Sequence, residues 1–320
     1  MTRPTAMDEQ FVHQIPELLP NVATLHEHWR ESYFFDLHDP SGEGDVVFFT
    51  FAHYPARGRM DSLQMGRIDG APVIGFLDRP DGDDPLTTTL PGASVEIAEP
   101  WREVRLHSDP AVSNIGLDVT FRARTQPYGL RRGTMRAGHD VVWDQCHTLQ
   151  SGTYSGTYTA NGLTRSVDGW IGQRDHSWGI RDHGRCPLWM WFQIQLEDGF
   201  LGVWHWELAN GARVYTDGCW AGTDGSDPVA LVDVPGFKTP DGIGFPIVYA
   251  GGTVVSDPWA ASYIVVPCDR LFESVVGAKC AGPAEDRLMT YMTLDGAHPT
   301  PTLVTRFDAS DRTSVSIYKP

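Results

Sequence analysis

Two aromatic runs on either side of an acidic glycine turn constrain this chain more than any other feature. Residues 186–211 read CPLWMWFQIQLEDGFLGVWHWELANG. Asp198 and Gly199 form a dipeptide typical of two-residue hairpin loops, in which both residues have positive φ. With these two residues as the loop, the pattern predicts that Ile194 faces Val203. Apolar side chains then lie on both faces, so each face must be covered by protein or line a cavity.

The rest of the chain also consists of short runs of strand-forming residues separated by turn residues. The 33 glycines and 23 prolines separate short runs rich in Val, Ile, Phe, Tyr, Trp and Thr, which is typical of β-sandwiches and barrels. Residues 31–55 predict a second aromatic hairpin, and the dipeptides Asn161-Gly162 and Asp168-Gly169 predict two further turns. Helical periodicity is scarce: the clearest candidate is residues 8–19, which Pro16 interrupts.

These patterns predict an all-β protein with two similar units, each opened by an aromatic hairpin. We expect two tandem units of antiparallel strands, each a sandwich or a barrel, packed through an extensive interface. The expected boundaries are an N-terminal extension over 1–21, a first β domain over 22–180 and a second over 181–320.

Charge and cysteine content narrow the class of function. The net charge of −16 disfavours nucleic acid and anionic membrane surfaces as partners. The N-terminal residues have no apolar signal-peptide core, and no run of 18 apolar residues predicts a membrane span. The five cysteines are widely spaced, and we expect free thiols in a cytoplasmic protein: Cys146, Cys186, Cys219, Cys268 and Cys280.

The stretch GQRDHSWGIR over residues 172–181 contains most of the candidate catalytic side chains. One reading makes Asp175 and His176 a proton-transfer centre, with the Trp178 ring shielding positive charge. On a strand, adjacent Asp175 and His176 would point to opposite faces. The competing reading is structural, a buried ion-pair cluster of four side chains: Arg174, Asp175, Arg181 and Asp182. The sequence leaves both readings open.

The aromatic hairpin supplies a second set of candidates. Trp189, Trp191 and Gln193 share one strand face and are expected to line a substrate pocket. On the other face, the predicted register places His205 beside Phe192 and Glu207 beside Met190. His205 and Glu207 could be an acid/base pair in the substrate pocket, or a satisfied core histidine and a rim glutamate.

Motifs for common cofactors are missing from the sequence. No GxGxxG follows a predicted strand, and neither GxxxxGK[ST] nor GxSxG occurs. His26 and His28 form a pair that could ligate metal, but no partner at a suggestive spacing follows. We therefore expect neither a cofactor nor a metal.

The motif and its surroundings resemble a known family. GWIGQRDHSWGIR, preceded by SGTYSGTYTANGLTRSVDG and followed by LWMWFQIQLEDG, is similar to the carotenoid 1,2-hydratase (hydroxyneurosporene synthase-like) superfamily, in particular to a bacterial branch with an RDHSWG-type signature. The resemblance implies tandem lipocalin-like domains and activity on apolar natural products, including hydration of alkenes and pericyclic cyclisation. The related hydratase motif reads D-H-E-W; here Ser177 replaces the glutamate, so the resemblance leaves Asp175 as the nearest acid.

We therefore expect a cofactor-independent lyase or isomerase that acts on a hydrophobic molecule such as a terpenoid, steroid or aromatic. The step would be hydration, dehydration or double-bond migration, with Asp175 as the acid and His176 assisting it. Two alternatives stay open: a pericyclase that works by shape, and a non-catalytic carrier of lipids or small molecules. Oligomeric state is not determined by the sequence.

Overall fold

The structure is a computed structural model. It describes Glu9 and residues 26–39, 45–80, 87–182, 188–196, 199–208, 212–228, 231–233, 238–239, 242–243, 252–257, 260–265, 290–293 and 314–316. The chain divides into two compact units, of which the first comprises Met1–Asp39 with Val46–Asp182, and the second Pro40–Asp45 with His183–Pro320.

The first unit is a single antiparallel sheet of thirteen strands. Its strands are β1 (Trp29–His38), β2 (Val46–Tyr54), β3 (Arg59–Ile68), β4 (Ala71–Pro80), β5 (Thr89–Leu90), β6 (Ala93–Glu99), β7 (Glu103–Ser108), β8 (Ile115–Ala123), β9 (Tyr128–Gly129), β10 (Gly133–Ala137), β11 (Asp140–Ala160), β12 (Leu163–Ser166) and β13 (Trp170–Arg181). Among the described residues, the α-helical segment is the single turn α1 (Pro110–Ser113), and Pro55–Arg57 form a 3-10 turn. The prediction of an all-β fold is confirmed.

The strand order explains how the sheet curls into a nearly closed barrel. The order is β4-β3-β2-β1-β13-β11-β8-β7-β6-β5, with β9, β10 and β12 paired to β11. The two ends of this order meet, because the Arg79 guanidinium of β4 donates to the Thr89 carbonyl of β5 (3.2 Å). On the neighbouring edge, the Asn114 amide donates to the Ile74 carbonyl (2.9 Å). Strand β13, which carries the GQRDHSWGIR motif, lies in the middle of the order between β1 and β11.

One face of this sheet forms the apolar core, as period-two alternation requires. The core is built from aromatic and branched side chains that alternate along the strands, among them Tyr33, Phe35, Leu37, Val47, Phe49, Phe51, Val104, Leu106, Phe121, Tyr154 and Tyr158. The predicted hairpin over 31–55 is confirmed, with β1 and β2 pairing from Glu31↔His53 to His38↔Val46.

The predicted turns between β11 and β13 also form. Asn161 and Gly162 connect β11 to β12 and both have positive φ, 52° and 76°, as the mirror-image hairpin turn requires. Asp168 and Gly169 connect β12 to β13, and the Asp168 carboxylate accepts from the Gly156 amide (3.0 Å).

The second unit is also built from strands. A seven-stranded sheet has the order β17-β16-β15-β14-β21-β22-β23. The strands are β14 (Leu188–Leu196), β15 (Gly199–Glu207), β16 (Arg213–Gly222), β17 (Ser226–Pro228), β18 (Leu231–Asp233), β19 (Lys238–Thr239), β20 (Gly242–Ile243), β21 (Gly252–Asp257), β22 (Ala260–Val265), β23 (Thr290–Thr293) and β24 (Ser314–Ser316). β18 pairs in parallel with β24, and β19 pairs with β20.

The aromatic hairpin is present as β14 and β15, but its predicted register is wrong by two residues. Ile194 pairs with Leu201, not with Val203, and Gly199 pairs with Leu196 as part of the ladder. Gly199 is needed there for close approach, because a Cβ at this position would come within 2.3 Å of the Ala221 carbonyl oxygen. A shift of two residues keeps the period-two parity of the backbone pairing, whereas a shift of one would reverse it.

Some predictions fall outside the described residues. These are the helix candidate over 8–19, apart from Glu9, and three of the cysteines, Cys186, Cys268 and Cys280. Cys146 and Cys219 are free thiols. No helix in the described part of the chain is long and apolar enough to cross a bilayer.

Candidate functional site

Strand β13 divides the motif between the two faces of the sheet. His176 pairs with Tyr33 of β1 and lies with Arg174 and Trp178 on the face of the apolar core. Asp175 and Ser177 lie on the opposite face. The expectation that Asp175 and His176 would face apart on a strand is therefore realised. Every residue from Gly172 to Ser177 is buried, so both faces of the strand are covered.

Asp175 is bound to a histidine that the sequence did not single out as a partner. His147 of β11 pairs with Ser177 across the ladder and brings its Nε2 to 3.4 Å from Asp175 Oδ2. The Ser177 hydroxyl donates to Asp175 Oδ1 (3.0 Å) and accepts from Arg181 Nη2 (2.6 Å). Asp175, His147, Ser177 and Arg181 are each less than 8% exposed. The result is a buried carboxylate–imidazole pair linked through a serine to a guanidinium.

The surroundings lower the pKa of both Asp175 and His147, which favours the charged form of the acid and the neutral form of the base. Burial favours the neutral carboxyl of Asp175, but His147, Arg181 and the Ser177 hydrogen bond outweigh it and lower the pKa of Asp175 below its usual value. Burial also lowers the pKa of His147, although Asp175 acts in the opposite direction. At neutral pH the pair is therefore a carboxylate beside a neutral imidazole.

Arg181 is the least compensated charge next to the pair. Burial, followed by repulsion from Arg30, lowers the pKa of the Arg181 guanidinium to about 9. Its neighbour in sequence, Asp182, lies 3.6 Å from His28 instead, at the end of the strand.

The core face of β13 carries a second polar group. His176 Nε2 lies 3.1 Å from Glu31 Oε1, and both side chains are at most 2% exposed. The His176 ring packs at 4.5 Å from the Tyr33 ring and at 5.3 Å from the Trp178 ring. This pair is separated from Asp175 by the backbone of the strand.

Arg174 is bound inside the first unit by a residue from the N-terminal segment. Both Glu9 oxygens pair with the two terminal nitrogens of Arg174, and Glu9 Oε2 also accepts from the Trp101 amide (2.7 Å). The guanidinium lies over the rings of Trp101, Phe35 and Phe121 at 5.0, 5.5 and 5.9 Å. Neither member of the pair is exposed.

The structure therefore does not bring together the four-residue ion-pair cluster that the sequence suggested. Arg174 lies on the other face from Asp175 and binds Glu9, while Asp182 pairs with His28. Only Arg181 and Asp175 remain neighbours, through Ser177. The physical reason is the strand conformation, which sends Arg174 and Asp175 in opposite directions.

The hairpin candidates are placed by their backbones alone, since their side chains lie outside the described residues. Trp189 and Trp191 pair with Trp206 and Trp204, and Gln193 pairs with Gly202. His205 pairs with Met190 rather than Phe192, and Glu207 pairs with Leu188 rather than Met190, which is the same two-residue register correction.

Sequence reasoning missed Glu9 and Glu31 and gave His147 no role. His147 lies 28 residues before Asp175, and only the β11–β13 register brings the two together. The described residues contain no group of three or more His, Cys, Asp or Glu side chains that could hold a metal ion. The His26 and His28 rings lie 5.6 Å apart between centroids and are tilted by 44°.

Comparison with protein families gives one assignment. Residues 5–239 match the model of a family of unknown function, DUF8625. The chain belongs to this family. A comparison with curated proteins finds no match.

Solved structures share the architecture at low identity. A protein named AttH from Nitrosomonas europaea is 12% identical, covers 80% of this chain and 85% of its own, and has a TM-score of 0.51. Kievitone hydratase from Nectria haematococca is 12% identical over 82% of this chain and 85% of its own, with a TM-score of 0.46. CghA in complex with Sch210972 is 15% identical over 81% and 84%, with a TM-score of 0.48. The likeness to the AttH structure shows the fold alone, which is all-β and lipocalin-like.

Proposed function

We propose that the protein is a cofactor-independent lyase or isomerase that moves a proton with the Asp175–His147 pair. The observation that carries the proposal is the buried contact of 3.4 Å between His147 Nε2 and Asp175 Oδ2. The pKa values of both groups are lowered, which favours an ionised carboxylate and a neutral imidazole at neutral pH. An ionised carboxylate beside a histidine orients the ring and stabilises the imidazolium that forms when the ring takes up a proton. Buried, paired titratable groups with shifted pKa values are typical of catalytic sites.

In the proposed reaction His147 is the proton carrier. For double-bond migration, the imidazole removes a proton from a carbon next to the unsaturated system, and the electron pair of that C–H bond delocalises into it. The imidazolium then returns the proton to the distal carbon of the system. For hydration, His147 takes a proton from water as the oxygen bonds to carbon, and the proton is returned to the neighbouring carbon. Dehydration is the reverse of this sequence.

The roles within the pair differ from those expected from the sequence. A carboxyl group with a lowered pKa is a poor acid at neutral pH, so Asp175 suits the stabilisation of a cation better than the donation of a proton. His176, on the other face and bound to Glu31, takes no proton-transfer step in this reaction. A hydrophobic substrate, such as a terpenoid, steroid or aromatic, is proposed from the resemblance to hydratases of apolar natural products.

Deuterium incorporation tests the proposal even while the natural product of the reaction is unidentified. The protein is incubated in D2O with a panel of hydrophobic enones and allylic alcohols, and mass spectrometry and NMR follow the uptake of deuterium at carbon. We expect exchange or turnover with the wild type, and a loss of about 10²-fold or more with His147→Gln and with Asp175→Asn. Circular dichroism confirms that each variant is folded.

The other outcomes separate the alternatives. Product that forms without deuterium uptake, at an unchanged rate in His147→Gln, would show a cyclase that works by shape. Saturable binding without exchange or product in any panel member would show a carrier. Ser177→Ala is the intermediate test, because it removes one hydrogen bond to Asp175 and leaves His147 in place. It should slow exchange less than either substitution in the pair.

A further inference from the structure

Two arginines lie side by side next to the Asp175–His147 pair. Arg30 of β1 is opposite Gly179 of β13, and Arg181 follows two residues later on the same face of β13. Diagonal neighbours on adjacent strands are within reach of long side chains. Gly179 contributes no side chain between them. Arg181 is 7% exposed and Arg30 is half-buried, so both guanidinium groups lie largely away from solvent.

The carboxylates near these arginines are already engaged. Asp61 of β3 accepts from Arg59 Nη2 at 2.8 Å. Asp175 contacts His147 and accepts from Ser177, and Arg181 reaches it only through the Ser177 hydroxyl.

Burial opposes the charge of both arginines. Tyr54, Asp61 and Asp175 outweigh it and raise the pKa of Arg30. For Arg181, burial and repulsion from Arg30 outweigh Asp175 and Glu31 and lower the pKa to about 9. Of the two charges, that of Arg181 is therefore incompletely compensated.

The arginines also carry unused donors. The Nε–H groups of Arg30 and Arg181 are both buried and have no hydrogen-bond partner among the described residues. A buried donor without an acceptor is unfavourable, and buried guanidinium groups are normally paired. The Nε–H and one Nη–H of an arginine form a fork that fits the two oxygens of a carboxylate. An anion would satisfy the buried donors and compensate the charge of Arg181.

We propose that Arg30 and Arg181 bind a carboxylate group of the substrate, so that the substrate is a hydrophobic organic acid. This inference rests on the proposed function for its place beside the reacting groups, and it names the substrate class of the same site. Because Ser177 contacts both Arg181 and Asp175, a carboxylate on the arginines would hold its carbon skeleton next to the proton-transfer pair. Arg30 and Arg181 are then binding residues, and Asp175 and His147 act on the bound molecule.

The proposal is tested by binding rather than by turnover. Isothermal titration calorimetry compares 2-naphthoate and dodecanoate with their primary amides, which have similar size but no charge. We expect each acid to bind the wild-type protein at least about tenfold more tightly than its amide. In Arg181→Met the preference should fall to nearly one, whereas Arg181→Lys, which keeps the charge without the fork, should retain part of it.

The controls separate this inference from the proposed function. Arg105→Met removes an exposed arginine on β7 that pairs with Glu96 and Glu103, and it should leave the preference unchanged. His147→Gln should keep the preference for the acid and lose only deuterium exchange. If Arg181→Met does not fold, Arg30→Met provides the same test from β1. The proposal is overturned if neither acid binds, if acid and amide bind equally, or if the folded arginine variants keep the full preference.

Discussion

Replacing Arg174 by methionine tests how much the buried ion pair between Glu9 and Arg174 stabilises the first unit. Methionine keeps much of the volume over the Trp101, Phe35 and Phe121 rings but removes the charge and the hydrogen bonds. The Glu9 carboxylate then keeps the Trp101 amide as its hydrogen-bond donor, in a place that has no measurable exposure.

The expected cost follows from this burial. Removing one partner of a fully buried ion pair costs about 3–5 kcal/mol, because the other charge is left uncompensated. For a unit of this size, about 2–4 °C is lost for each kcal/mol, so the melting temperature of the first unit should fall by about 6–20 °C. Replacing both residues removes the stranded charge, and Glu9→Leu with Arg174→Met should cost less than about 2 kcal/mol.

Urea unfolding followed by tryptophan fluorescence, with differential scanning calorimetry, measures these effects. The exposed variant Arg105→Met is the control and should change the free energy of unfolding by less than about 1 kcal/mol. Two results would refute the reasoning: a change below about 1 kcal/mol for Arg174→Met, or a double variant whose cost equals the sum of the single costs.

Three further predictions concern the other face of β13 and its backbone. Lowering the pH from 7 to 5 should reduce the free energy of unfolding, because His147 has a lowered pKa in the folded protein and the unfolded chain therefore binds more protons. Urea titrations at several pH values measure this dependence, and it should be weaker in His147→Gln. The lowered pKa of Asp175 should add a further loss only below its usual 3.8, absent from Asp175→Asn. Gly179→Ala should cost at least about 2 kcal/mol more than Gly138→Ala in the same titration, since both have positive φ but only a Cβ at Gly179 meets a backbone atom, the Asp144 oxygen at 2.0 Å.

Local patterns in the sequence were sufficient to predict several of the hairpins and turns. The aromatic hairpin predicted over residues 31–55 forms, and the structure buries Tyr33, Phe35 and Leu37, which alternate along β1, in one core. Asn161-Gly162 predicted a mirror-image turn because these residues accept positive φ at little cost, and both have it. The predicted register was wrong because Gly199 was assigned to the turn. The sequence does not distinguish a glycine that permits a turn from one that permits the close approach of two backbones, which is the role of Gly199.

The sequence predicted that Asp175 and His176 face apart if they lie on a strand, and the structure shows that they do lie on one, β13. The partners that each face meets follow only from the folded arrangement of the strands. His147 comes to Asp175 through the register of β11 against β13, Glu31 comes to His176 through β1, and Glu9 comes to Arg174 from 165 residues away. Such contacts depend on strand order and register, which short-range patterns do not encode. The charge and the hydrogen bonds of the motif's side chains are therefore set largely by His147, Glu31 and Glu9, which lie outside the motif.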